Sequence, residues 1–137
     1  MKSGDNLIIQ IDFNSDEAIY LQLRNQIIMQ IATARLAAGD SLPSVRQLAE
    51  LVGINMHTVN KAYAVLKQEG YITLDRRRGA VIAVDLDHAQ AEYETMRMLE
   101  PVLAQGYCRG MQREEIHEMI DRIYDAFDKC TMCKNKE

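Results

Sequence analysis

The chain has no tryptophan, only two phenylalanines and two prolines, seven glycines and three cysteines in 137 residues. With so few aromatics, the core falls to aliphatic side chains and the eight methionines, a composition that suits packed helices. Scarce proline and glycine leave little room for long irregular loops. No apolar run reaches the ~18–20 residues that a membrane span requires. Met1, Lys2, Ser3, Gly4 and Asp5 lack the charged and apolar regions of a signal peptide. The expected location is therefore cytoplasmic, with reduced cysteines and no membrane partner. Enzyme signatures are also missing. The sequence has no Gly-rich phosphate loop, no His-Glu-x-x-His, no Gly-x-Ser-x-Gly and no nucleophile triad, so neither catalysis nor a cofactor is expected.

What is present supports a folded core, since 47% of residues are hydrophobic and 26% charged. The net charge of −4 argues mildly against a nucleic-acid ligand, but it hides an asymmetry. Residues 1–80 carry nine basic against eight acidic side chains, while residues 81–137 carry seven against twelve. Within 41–80 the balance is six against three, so positive charge that can meet phosphate is local.

Alternation of Leu7, Ile9 and Ile11 predicts a short strand or extended arm. Asn14, Ser15, Asp16 and Glu17 then offer helix-start chemistry. Ile19, Leu23, Ile27 and Ile31 repeat every fourth residue, predicting a first helix that runs to about Leu36 and stops before Gly39. Ser44 and Gln47 have capping-box spacing ahead of a short second helix from Val45 to Leu51 or Val52, with Gly53 as its breaker. Asn55 is placed to cap a third helix with the apolar stripe Val59, Ala62, Tyr63 and Leu66, ended by Gly70. Two such helices joined at a glycine turn form a helix-turn-helix.

Beyond Gly70 the period changes. The runs Tyr71–Leu74 and Ala80–Val84 predict a hairpin whose tip carries Arg76, Arg77 and Arg78. A helix is expected from about His88 to Gln105, kinked or divided at Pro101, and a last one from about Arg113 to Lys129. The fold class is mainly α with a small β-hairpin wing (α+β). It comprises a winged helix-turn-helix over residues 1–85 and a short helical dimerisation region over 86–137.

The stretches Tyr20-Leu21-Gln22-Leu23, Gly39 through Ala49 with its Leu42-Pro43-Ser44-Val45-Arg46 run, Gly53-Ile54-Asn55 and Thr58-Val59-Asn60-Lys61-Ala62-Tyr63 resemble the GntR-type bacterial transcription regulators. The likeness spans about residues 7–84. Most members carry effector domains of 100 or more residues, which the remaining 50 or so cannot build. The chain is therefore similar to the short YtrA-like subfamily, whose two C-terminal helices serve dimerisation. The wing departs from the family's Arg-Gly-Thr pattern, reading Arg78-Gly79-Ala80. Met56-His57 stand where an arginine often opens the third helix. Base preference is therefore not carried over from the family.

The resemblance implies a homodimeric repressor on a palindromic double-stranded operator, with a transporter operon as the family's tendency. It leaves room for a small-molecule effector that no residue names. The third helix is expected in the major groove, offering Asn55, Met56, His57, Thr58, Asn60 and Lys61, the residues there that the core stripe does not claim. Asn60 suits adenine, Thr58 and Lys61 suit phosphate, and His57 either meets a purine or phosphate or faces solvent. Arg46 matches a DNA-contacting family position. Ser44 either leaves backbone amides near phosphate or acts only as a cap. Arg76, Arg77 and Arg78, with Gly79, form a tip that suits a narrow minor groove.

Met96, Leu99 and Leu103, with Ile116, Ile120, Ile123 and Phe127, form the expected dimer surface; the alternative folds both helices back onto the winged helix. Cys130 and Cys133 have C-x-x-C spacing, with Cys108 and His117 upstream. A thiol-based metal or redox sensor is thus an alternative, but a second pair is missing and no metal is expected. A protein-binding winged helix is another alternative, disfavoured by the polar recognition positions and basic tip.

Overall fold

The computed structural model describes residues 7–135, which fall into two units dividing between Asp85 and Leu86. The first holds an N-terminal arm, α1 (Ile19–Ala32), α2 (Val45–Val52), α3 (Met56–Gln68), β1 (Ile72–Asp75) and β2 (Gly79–Ile82). The second holds α4 (His88–Cys108) and α5 (Arg113–Asn135).

In α1 the period-four stripe buries Leu23 and Ile27 completely. Both ends of α1 differ from the sequence expectation. Asn14 to Glu17 do not cap it, because it begins behind Ala18, which supplies no side-chain cap. The polar run forms turns instead, with Ser15 Oγ accepting from the Glu17 amide. The helix stops at Ala32 rather than Leu36: Ala34 adopts a left-handed φ of 58°, and the Arg35 and Leu36 amides both return to the Gln30 carbonyl. A left-handed alanine costs ~1–2 kcal/mol. The turn delivers Leu36, 1% exposed, into the core, and burying such a side chain contributes ~1.5–3 kcal/mol. Burial outweighs local strain.

The arm forms no strand over residues 7–12, yet it is held as if by one. Gln30 accepts from the Ile8 amide at 3.4 Å and donates to its carbonyl at 2.8 Å. Gln26 does the same for Gln10, and Gln22 for Asp12. Four helical residues rise ~6.0 Å and two extended residues ~6.6 Å, so three glutamines one turn apart match alternate arm residues. Leu7 is buried in the same apolar cluster as Leu23 and Ile27.

α3 is the central element of the first unit, packing against α1, α2 and β1. Its stripe Val59, Ala62, Tyr63 and Leu66 is buried as expected, and α2 contributes Leu48 and Ala49. Gly53, at a left-handed φ of 79°, closes α2 and makes the tight turn into α3. Arg24 of α1 pairs with Glu69 at the end of α3.

In the wing, β1 and β2 run antiparallel from Ile72 opposite Ile82 to Asp75 opposite Gly79, slightly shorter than the β-prone runs. A third extended pass, absent from the sequence reading, lies on the other edge of β2. The Leu42 amide donates to the Ala80 carbonyl and the Ile82 amide to the Asp40 carbonyl, each at 2.8 Å. The wing is thereby bonded directly to the segment that leads into α2.

In the second unit, Pro101 does not divide α4, which is continuous from His88 to Cys108 with Asp87 as its cap. Proline removes one backbone donor, which a helix of 21 residues tolerates at a cost. α5 extends past Lys129 to Asn135. Met111 lies against Gly106 at the elbow between the two helices, its Sδ 3.2 Å from where a Cβ would stand. No residue of α4 is buried, so the pair has little core of its own. No helix among the described residues is long and apolar enough to cross a membrane.

Candidate nucleic-acid interface

Two helix N-termini open at the surface of the first unit. At α2, Ser44 Oγ accepts from the Gln47 amide at 3.1 Å while Gln47 Oε1 accepts from the Ser44 amide at 3.0 Å, completing a capping box. At α3, Asn55 Oδ1 accepts from the His57 amide at 2.8 Å. Both caps are uncharged, and neither helix has an acidic residue in its first turn. The partial positive charge of each N-terminus is left uncompensated, which favours an incoming anion.

Tyr63 fixes the two termini relative to each other. It is buried against the core, and its hydroxyl donates to the Pro43 carbonyl at 2.7 Å, just ahead of the α2 cap. Burial pushes the phenol well above its usual range, so it remains a protonated donor. Tyr63 is core, and it positions the surface without forming part of it.

Around this frame Arg46, Asn55, His57 and Asn60 are exposed, and Thr58 is half-buried. Val45, Asn55, Met56, His57 and Asn60 line an open depression of about 630 Å³ between the starts of α2 and α3. Lys61 is also exposed, but its ammonium sits 4.1 Å from the centre of the Tyr20 ring, a cation–π contact with α1. Its charge is held beside α1 as well as at the surface.

At the wing tip the three arginines differ. Asp75 Oδ1 accepts from the Arg77 and Arg78 amides at 2.7 and 3.2 Å. These bonds, Arg77's first, hold the Asp75 carboxyl below its ordinary range. Gly79 supplies the left-handed residue, φ 75°, that closes this three-residue loop. The Arg78 guanidinium turns back to donate to the Gly39 carbonyl. Arg76 and Arg77 have no side-chain partner among the described residues.

Residues 19–82 match the bacterial regulatory proteins of the gntR family. The transcriptional repressor YtrA of Bacillus subtilis is 35% identical over 119 residues, covering 85% of this chain and 92% of that protein. The chain belongs to the GntR family. It is a YtrA-like, DNA-binding transcription regulator, and its relatives are regulators rather than enzymes. The solved structure of YtrA from Sulfolobus acidocaldarius is 42% identical, covering 67% of this chain and 97% of its own, with a TM-score of 0.57. A transcriptional antiterminator from Listeria monocytogenes EGD-e superposes with a TM-score of 0.79 at 28% identity, covering 89% and 94%. The mainly α fold with a hairpin wing is shared with these solved structures.

In this GntR chain the residues expected at a dimer surface lie on α4 and α5. Met96 and Ile123 are more than half exposed, Leu99, Leu103 and Ile120 slightly over one third, and Ile116 and Phe127 are half-buried. Tyr124 packs edge-on against Phe127 at 6.0 Å. Cys108 is exposed, and no group of metal-ligating side chains forms among the described residues. The side chains of Cys130 and Cys133 lie outside the described residues. Sequence reasoning missed two features, the glutamine ladder and the joining of Val45 to Met56 in one depression. The first was signalled by Gln22, Gln26 and Gln30 at helical spacing. The second had no local signal, because it joins two helices.

Proposed function

We propose that this GntR regulator is a cytoplasmic homodimeric repressor that binds a palindromic operator and occludes a promoter. In this reading residues 1–85 bind DNA and residues 86–137 dimerise. The observation that carries the DNA half is the pair of uncompensated helix N-termini beside Arg46 and the two unpartnered wing arginines. The α3 N-terminus enters the major groove with Asn60 against adenine, and His57 and Asn55 beside it. Ser44 contributes by capping α2, with its own amide and hydroxyl both committed to Gln47. The backbone amides left for phosphate are those of Val45 and Arg46. Arg46 and Thr58 meet phosphate, with Lys61 beside them. Arg76 and Arg77 reach an adjacent minor groove from a loop closed by Gly79, and Arg78 braces it.

The dimer half rests on α4 and α5. A helix pair without buried apolar residues on α4, showing Met96, Leu99, Leu103, Ile120 and Ile123 to solvent, needs a covering surface. A second copy supplies it by symmetry and doubles the contacts on a palindrome. The resemblance to short GntR members adds a transporter operon as the regulated target.

Selection of bound duplexes from a random library, at two salt concentrations, tests the proposal. Enrichment of an inverted repeat supports it, and a genome search with that repeat names the genes. Enrichment of a single, non-repeated site rejects the symmetric dimer, and no enrichment at either salt rejects sequence-specific reading.

A further inference from the structure

The depression between α2 and α3 has an apolar component that no phosphate or polar base edge explains. Met56 is the first residue of α3, and it is 48% exposed. It is not part of the core stripe, which runs through Val59, Ala62, Tyr63 and Leu66. Val45, the first residue of α2, lines the same depression, so two elements contribute to one apolar spot. Asn55, His57 and Asn60 border it.

This placement limits what the spot can meet. Residues one turn apart on a helix hold their Cβ atoms ~5–6 Å apart, so Met56 and Asn60 act within about two base-pair steps of each other. A phosphate gains nothing from a thioether and a valine. A cytosine amino group needs a good acceptor, which a valine side chain lacks and a thioether supplies only weakly. Of the four bases, only thymine shows an apolar group in the major groove, its 5-methyl. Methionine suits such a target, because its unbranched thioether adjusts to a small apolar knob.

We infer that Met56, backed by Val45, is a specificity-determining residue that receives a thymine 5-methyl group, in the base pair read by Asn60 or within about two steps of it. The inference rests on the reading of α3 as the major-groove element and assigns it a base. It makes the departure at Met56-His57 a change of specificity: where an arginine favours guanine, this chain favours an A·T-containing step.

The test separates this inference from the reading beneath it. A duplex enriched from the random library is resynthesised with each dT of one half-site replaced in turn by dU, which deletes the methyl and keeps the pairing. Failure to enrich any duplex overturns the major-groove reading itself. With a duplex in hand, the parent chain should lose about fourfold in affinity at one dT, the worth of one buried methyl. Met56→Ala should bind the dT and dU duplexes equally at that position, with an unchanged salt slope showing an intact domain. Met56→Leu should keep the discrimination. Equal binding of every dU duplex by the parent, or discrimination retained in Met56→Ala, overturns the inference.

Discussion

Removing the wing arginines in different combinations should separate residues that look alike in sequence. Arg76 and Arg77 have no side-chain partner among the described residues, whereas Arg78 donates to the Gly39 carbonyl. Each arginine that neutralises a phosphate contributes ~0.9 to the slope of log affinity against log salt. The double change Arg76→Ala with Arg77→Ala should therefore lower that slope by roughly 1.8 per wing, or roughly 3.6 for a dimer using both wings. Between about 50 and 200 mM salt the parent should then lose roughly 150-fold more affinity than the variant as a dimer, or about twelvefold more if only one wing engages. Arg78→Ala should leave the slope unchanged and weaken the wing by at most about 1 kcal/mol, since the bond it loses is exposed. Fluorescence anisotropy of a labelled operator, titrated at four or five salt concentrations, reads both quantities. A parental slope in the double variant would remove the wing from the phosphate contacts. A slope lowered by Arg78→Ala as much as by Arg76→Ala would refute the division of roles.

Other consequences are open to direct measurement. Asn60→Ala should flatten base preference at one position per half-site while leaving the remaining positions intact, as read from the selected duplexes; an unchanged profile rejects the adenine contact. If α4 and α5 form the proposed dimer surface, Ile120→Asp or Ile123→Asp should yield monomers in sedimentation at micromolar concentration, because a carboxylate is costly to bury unpaired in an apolar interface; a surviving dimer rejects that surface. Gln30→Ala should cost about 1–2 kcal/mol in urea unfolding, from two backbone partners lost at a buried site, and more than the half-buried Gln26→Ala. The Asp75 carboxyl has a lowered pKa in the folded wing, so its stabilising effect is complete above the ordinary carboxylate range and is lost as pH falls through the lowered value. The Arg77 and Arg78 amide resonances should follow that acid-side titration, and Asp75→Asn should abolish it.

Local chemistry sufficed for much of this molecule. The Ser44 and Gln47 capping box, the Asn55 cap, the Gly53 turn and the stripe from Val59 to Leu66 depend on residues within one or two helical turns of each other. Spacing along the chain therefore reveals them, and the helix-turn-helix with its basic hairpin is legible in the sequence alone. What the sequence left undetermined involves partners far apart in the chain. The end of α1 is set by the need to bury Leu36, against the preference of Ala34. The arm is held by glutamines 10 to 22 residues away, and β2 gains a second neighbour from Asp40 and Leu42. The same holds at the surface. Three adjacent arginines are equivalent as letters, but only the closed loop places the guanidinium of Arg78 on Gly39. Val45 and Met56 line one depression because α2 packs against α3, with the Tyr63 hydroxyl on Pro43 bonding the start of α2 to α3. Periodicity and capping are short-range properties that a sequence carries openly. Which side chains share a surface depends on how the core packs, and only the tertiary structure decided that.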